Sequence, residues 1–180
     1  MGMHIELLEV EAADDEQLMR DITELINRVY AAAEDGQWLP GSSRTTVEEI
    51  TKLTHAGEVV VARLGDGDGT LVGTVRVQLL DEHTGEMGMM AADPAYRQMG
   101  VGTELANFAR ALCRRRGATY VEVELLVPQG WDQPSKKFMA EWVKRRNYAV
   151  VRTGKLEERY PELAPQLATP CDFVILKKKL

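Results

Sequence analysis

Glu86-Met-Gly-Met-Met-Ala-Ala-Asp-Pro-Ala-Tyr-Arg-Gln-Met-Gly-Val-Gly-Thr103 is the stretch on which the fold turns. Its apolar segment, residues 87–92, stops at Asp93-Pro94, where the proline removes a donor and holds the preceding residue extended. A basic, glycine-bearing loop follows. From Val101 the apolar residues Val101, Leu105, Phe108, Ala109 and Leu112 recur at helical spacing, and the pattern runs to Arg116. The order is strand, loop, helix. At such a junction the first amides of the helix have no partner inside it and lie at the positive end of its dipole. Glycines at positions 100 and 102 let an anion approach bare backbone, so the stretch reads as a phosphate cradle. A Walker loop would need a Gly-Lys-Ser/Thr ending, and a dinucleotide turn three glycines with a later acidic residue; neither pattern is present.

Within the cradle, Arg97-Gln98-Met99-Gly100-Val101-Gly102 resembles the Arg/Gln-x-x-Gly-x-Gly/Ala loop of the GCN5-related N-acetyltransferases. Asp93, Pro94 and Arg97 match the Asp-Pro-x-x-Arg lead-in of that family, and the likeness extends over residues 58–150. The resemblance implies an α/β (α+β) fold: a central, mixed, mostly antiparallel twisted sheet of about six to seven strands, flanked by helices. It also implies a V-shaped splay between the fourth and fifth strands. Acetyl-CoA is the implied cosubstrate, with its pyrophosphate on the amides of residues 98–103 and its pantetheine arm beside the fourth strand. The cofactor-binding residues it implies are Met89, Met90, Ala91, Arg97, Gln98, Met99, Gly100, Val101, Gly102 and Thr103, joined by Ser135 and Phe138.

Composition sets the wider limits. A chain of 180 residues with 44% hydrophobic content suits one domain, residues 1–180, with a proper core. Lys+Arg 22 against Asp+Glu 28 leaves a net charge of −6, which argues against nucleic acid as a partner and favours a cationic acceptor such as an amine. No charged start with an apolar core, and no apolar run of membrane-spanning length, is present; the expectation is a cytoplasmic protein without membrane attachment. Two cysteines, Cys113 and Cys171, make no disulfide framework, and no Cys/His cluster has zinc spacing, so no metal is expected.

Along the chain, residues 3–10 alternate imperfectly as a first strand, and Asp14-Asp15-Glu16 opens a helix whose apolar stripe runs from Leu18 to Tyr30. Residues 34–44 carry the breakers Gly36, Pro40 and Gly41, and a second helix begins near Thr45 or Thr46. Residues 58–64 and 70–80 form a hairpin around Gly65-Asp-Gly-Asp-Gly69, which lacks the spacing of a calcium loop. Gly73, inside the second of these strands, marks a bulge or a close backbone approach. Residues 81–85 make the next turn. Gly117 caps the cradle helix behind Arg114, Arg115 and Arg116. Residues 119–127 alternate as a fifth strand with Glu122 and Glu124 on one side, and a helix from Pro134 or Ser135 turns Phe138, Met139, Trp142 and Val143 inward. A sixth strand, residues 149–153, a pair of proline-broken turns and a last strand at 173–176 follow, with Lys177 to Lys179 read as a solubilising end.

For chemistry, the resemblance implies direct attack of an amine on the acetyl thioester, which requires a base, proximity and an oxyanion donor. Glu86 is the favoured base, acting through a water, with Glu122 and Glu124 as the next candidates; the backbone N–H near Met90 is the expected oxyanion donor. The loop between the first two helices covers the acceptor side in the family. Tyr30, Glu34, Trp38 and Arg44 are therefore acceptor-site candidates, along with Glu122 and Glu124: an aromatic wall, a carboxylate for a cation and a guanidinium for an anion. Val143 stands where the family carries the tyrosine that protonates the departing thiolate, so a water, another residue such as Tyr148, or no acid at all fills that role. Cys171 as an acetyl carrier has no neighbouring histidine in sequence to activate it. A non-catalytic acyl-CoA-binding or sensing module is the alternative that the missing tyrosine allows. A small-molecule acceptor is expected before a protein one, and a homodimer is the assembly that family habit implies.

Overall fold

The computed structural model describes residues 2–65 and 69–180. Among the described residues, seven strands form one sheet: β1 (Met3–Leu7), β2 (Val59–Leu64), β3 (Leu71–Leu79), β4 (Thr84–Ala92), β5 (Tyr120–Pro128), β6 (Ala149–Gly154) and β7 (Cys171–Lys179), in the spatial order β1-β2-β3-β4-β5-β7-β6. Only β4 and β5 run parallel; every other neighbouring pair is antiparallel. Four helices cover it: α1 (Glu16–Ala33), α2 (Val47–His55), α3 (Val101–Arg115) and α4 (Pro134–Arg145). Asp66, Gly67 and Asp68 of the expected hairpin turn lie outside the described residues. No helix among the described residues is long and apolar enough to cross a membrane.

The helices begin where local chemistry satisfies their free amides. Asp15 accepts from the Leu18 amide at 3.0 Å and Thr46 from the Glu49 amide at 3.1 Å, each filling one orphan donor of a first turn. On one face, Met19, Ile22 and Ile26 of α1 and Ile50 of α2 pack on Val59, Val61, Met89 and Ala91 of the sheet. On the other, Val101, Leu105, Ala109 and Leu112 of α3 pack on Val75, Val77, Met87, Val121 and Val123. Glycine permits the closest part of that contact. A Cβ at Gly73 would stand 2.6 Å from Val101 Cγ1 and 2.9 Å from Leu105 Cδ1, so the close approach is a helix settling onto bare backbone, and the β2–β3 register also slips beside it, between Gly73 and Leu71.

Several boundaries differ from the sequence reading. β1 ends at Leu7, and a 3₁₀ segment, Val10–Asp14, takes up the rest of that run. β4 begins at Thr84, inside the stretch read as a turn, because Thr84 and Gly85 already pair with Tyr120 and Val121. Phe138 does not turn inward: it is 66% exposed, while Val143 on the same helix is 1% exposed. The final strand is longer than residues 173–176, and the lysines are inside it. Lys177 pairs across the sheet with Glu122 of β5, and Lys178 Nζ donates to the Arg146 carbonyl at 2.7 Å. Their charges are used internally, which corrects the reading of a free solubilising end.

Candidate active site

The pairing of β4 with β5 covers only Thr84 to Met87 against Tyr120 to Val123. Beyond it the two strands part, so residues 88–92 have no strand partner on the β5 side, and backbone donors and acceptors stand open in a cleft. The same part of β4 is distorted toward β3. The register slips between Thr74, opposite Ala91, and Arg76, opposite Gly88, so Met89 and Met90 bulge against Val75; Met89 takes φ of 47°. A bulge re-aims backbone amides that a regular ladder would consume. Met90 therefore sits where β4 is both unpaired on one side and irregular on the other.

At the end of this strand Asp93 accepts from the Ala95 amide at 2.9 Å and opens a 3₁₀ segment, Pro94–Met99. Arg28 of α1 holds the other carboxylate oxygen at 2.8 Å. Gly100 then turns the chain with φ of 72°, and α3 starts with no side chain capping it. The amides of Val101, Gly102 and Thr103 are the orphan donors of that first turn. A Cβ at Gly100 or at Gly102 would meet nothing within 4 Å, and Arg97, Gln98 and Met99 are exposed around them. The structure thus brings all the cradle residues to one mouth at the wide end of the cleft. Arg146 adds to it from α4: stacked 3.9 Å from the Trp142 ring, its guanidinium donates to Thr103 Oγ1 at 3.2 Å. Ser135 is on the first turn of α4, donating to the Ala33 carbonyl, and Phe138 stands in solvent one turn later.

Beside the cleft, a polar row crosses the α1 face of the sheet. Glu58 accepts from Arg76 Nε at 2.7 Å, Arg76 Nη2 donates to Gln78 Oε1 at 2.9 Å, and Gln78 Nε2 donates to Glu86 Oε2. Because Arg76 occupies the amide oxygen, the Gln78 nitrogen is the end that faces Glu86. The other oxygen, Glu86 Oε1, leans along β4 over Gly88, 3.1 Å from where a Cβ would stand, toward the bulge. Glu86 is 3% exposed. Burial, reinforced by the charge of Glu124, pushes its carboxyl up to about 7, against the pull of Gln78 and Arg76.

Glu122 and Glu124 share the Glu86 side of β5, as their alternation required. Arg159 Nη1 reaches Glu122 at 3.3 Å and also pairs with Glu124, whose second oxygen accepts from the Tyr160 hydroxyl at 2.9 Å. Lys177 Nζ stands 3.7 Å from Glu122. Burial, with Glu86 and Glu124 close by, raises the Tyr160 hydroxyl above its usual range. The sequence reading missed Gln78, Arg159, Tyr160 and Lys177. The β3–β4 hairpin register contained the signal for Gln78, but nothing in the proline-broken segment before β7 pointed to Arg159 or Tyr160.

Tyr160 packs in one cluster with Trp38 and Leu163, and these two line a cavity of about 240 Å³ with Tyr30, Glu34, Leu39 and Arg44 among others. Four of the six acceptor-site candidates, Tyr30, Glu34, Trp38 and Arg44, therefore gather on this cavity, whereas Glu122 and Glu124 do not line it. The Arg44 guanidinium lies 5.4 Å from the Tyr30 ring centroid, and burial pushes that phenol up to about 12. Glu34 is not a free carboxylate. It is 5% exposed, paired with Lys136 of α4 at 2.6 Å, and accepts from the Trp38 indole. A larger open hollow of about 950 Å³ between α1 and the β2–β3 edge touches none of these groups. Tyr148 is packed in the α3-side core, on the face opposite Glu86, and Cys171 is buried with its thiol raised by that burial, so neither is placed to act on the cleft.

The acetyltransferase (GNAT) family model matches residues 19–143. The chain belongs to that family. Solved structures agree with the GNAT fold from end to end. A mosquito arylalkylamine N-acetyltransferase like 5b superposes with a TM-score of 0.69 at 12% identity, covering 99% of this chain and 100% of the other. The Salmonella typhimurium putative acetyltransferase yncA, solved with acetyl-CoA, gives 0.67 at 14% identity over 100% and 95%. An aminoglycoside 6'-acetyltransferase type Ii gives 0.62 at 15% identity over 98% and 96%. At such identities the likeness is one of fold. A search of curated proteins finds no match to the sequence. In this GNAT protein the matched stretch includes most of α1, the bulged β4, the cradle and β5, but ends at Val143, before Arg159 and Tyr160.

Proposed function

We propose that this GNAT protein is an acetyl-CoA-dependent N-acetyltransferase acting on the primary amine of a small molecule, by direct attack assisted by Glu86. Residues 1–180 act as one catalytic domain in this reading. The observation that supports it most is the placement of Glu86. Its carboxyl is poised near neutrality, one oxygen is held by Gln78, and the other leans toward the bulge at the open end of β4. A base so tuned is half in its proton-accepting form near pH 7.

The chain's own residues suit the cosubstrate. The uncapped first turn of α3, opened by Gly100 and Gly102, offers amides for a pyrophosphate. The unpartnered edge of residues 88–92 offers backbone to an extended amide-bearing arm. In the reaction, the amine nitrogen bonds to the thioester carbonyl carbon and the carbon–sulfur bond breaks, with the electron pair leaving on sulfur. The proton shed by the amine passes through a water to Glu86 Oε1. An amide N–H at Met90 takes the developing negative charge on the carbonyl oxygen. Water supplies the proton taken up by sulfur, since Val143, 1% exposed in the core, offers none. The same valine favours the second reading, an acyl-CoA-binding module without turnover.

Calorimetry of acetyl-CoA with the wild type and with Gly102→Glu tests the cradle. Position 102 has free space and an ordinary φ, and a carboxylate there sits in a helix first turn where the dipole favours it, so the variant folds. The expected result is binding by the wild type and its loss in the variant, followed by CoA release when primary amines are added. No binding by the wild type overturns both readings; binding without release across the amine panel leaves the binding module.

A further inference from the structure

Arg44 is a half-buried cation with no carboxylate in ion-pair reach among the described residues. Its position is built. Asn27 Oδ1 accepts from the amides of Arg44 at 2.9 Å and Thr45 at 3.0 Å, and Asn27 Nδ2 donates to the Thr45 carbonyl at 3.0 Å. The loop is thereby stapled to α1, with the guanidinium over Tyr30 on the wall of the 240 Å³ cavity. The acidic groups on that wall do not answer it: Glu34 is held by Lys136 and Trp38, and Asp35 is exposed at the rim.

A guanidinium partly withdrawn from water loses hydration that only an anion or several acceptors restore. Tyr160 joins the two poles: it packs in the same cluster as Trp38 and Leu163, which line the Arg44 cavity, and its hydroxyl donates to Glu124 at 2.9 Å. The cationic wall and the acidic side of β5 therefore meet at this residue. Resting on the reading of Glu86 as the base for acetyl transfer, we propose that the acceptor amine also carries a carboxylate, which the Arg44 fork binds while the amine faces Glu86. The acceptor is then a small amino-acid-like zwitterion, its body against Tyr30, Trp38 and Leu39. The planar fork matches two carboxylate oxygens. A polyamine would instead bring a second cation against Arg44, and a neutral amine would leave the guanidinium unanswered.

The test compares free L-amino acids, their carboxamides and the corresponding decarboxylated amines as acceptors. Wild type, Arg44→Lys and Arg44→Ala are assayed by CoA release. In the wild type at least one amino acid exceeds its carboxamide by tenfold or more in kcat/KM, mostly through KM. Arg44→Lys keeps part of that ratio, and Arg44→Ala brings it within about threefold, chiefly by raising KM for the amino acid. Calorimetric binding of the N-acetylated amino acids against their carboxamides, with CoA present, reads the same preference without turnover. Equal use of acid and carboxamide by the wild type, a ratio that survives in Arg44→Ala, or no amino acid turned over or bound in product form overturns the proposal. Loss of acetyl-CoA binding itself would instead overturn the transferase reading, so the two failures are distinguishable.

Discussion

Glu86 combines two properties that water would keep apart: it is a carboxylate, and at neutral pH it holds its proton about half the time. The cause is burial next to Glu124, and the consequence extends to stability. Below the ordinary glutamate range both folded and unfolded chains are protonated at this position. As pH rises toward 7 the unfolded chain ionises while the folded one retains its proton, so the contribution of Glu86 to stability falls, by up to about 3 kcal/mol, and the loss is complete above 7. Urea denaturation of wild type and Glu86→Gln between pH 4.5 and 8 should show this decline in the wild type and its absence in the variant. The rate has the opposite slope. kcat/KM with a true acceptor should climb through pH 7 in the wild type, and Glu86→Gln should lower it about 10²- to 10⁴-fold and remove that inflection. Turnover and pH profile unchanged by the substitution would overturn the assignment of Glu86 as the base.

At the scale of elements, the contact of α3 with β3 fixes where the cradle points. Gly73→Ala would drive a methyl into Val101 Cγ1 and Leu105 Cδ1, at the first two turns of α3. Stability should fall by about 1–3 kcal/mol, read as a lower urea midpoint, and affinity for acetyl-CoA should fall with it because the same residues begin the helix. This strand–loop–helix unit was the most legible part of the sequence. Proline, glycine and helical spacing all agree there, and the two carboxylates of β5 followed from alternation alone. Elsewhere local pattern was overruled by partners distant in the chain. Lys177 and Lys178 look like a solvated tail until β5 and Arg146 are set beside them. Phe138 fits an apolar stripe, yet it faces out into solvent. Arg159 and Tyr160 sit in a segment without periodicity, and their role depends on the sheet register that brings them over Glu124.

For the molecule as a whole, the Glu34–Lys136 pair ties the end of α1 directly to α4, both groups largely out of water. Replacing Lys136 by Met leaves a buried carboxylate with only the Trp38 indole to answer it, and chemical denaturation should record a loss of about 3–5 kcal/mol. The double variant Glu34→Leu/Lys136→Met should recover most of it, since no uncompensated charge is left; a double variant as unstable as the single one would mean that the pair is also needed for packing. The 240 Å³ cavity is held on one side by this tether and on another by the segment before β7, so it draws on parts of the chain more than a hundred residues apart.

The placement of β7 between β5 and β6 bears on how the protein is made. β5 and β6 leave the ribosome before Cys171–Lys179, yet neither can meet the other; each waits with an open edge for a strand that has not been synthesised. The acidic pole of the cleft waits too, because Lys177 neutralises Glu122 only after β7 is in place. A nascent chain can place α1 through α3 before β7 exists, but the β5-β7-β6 half of the sheet can close only once β7 is made. During that interval its exposed edges are what a chaperone would have to shield.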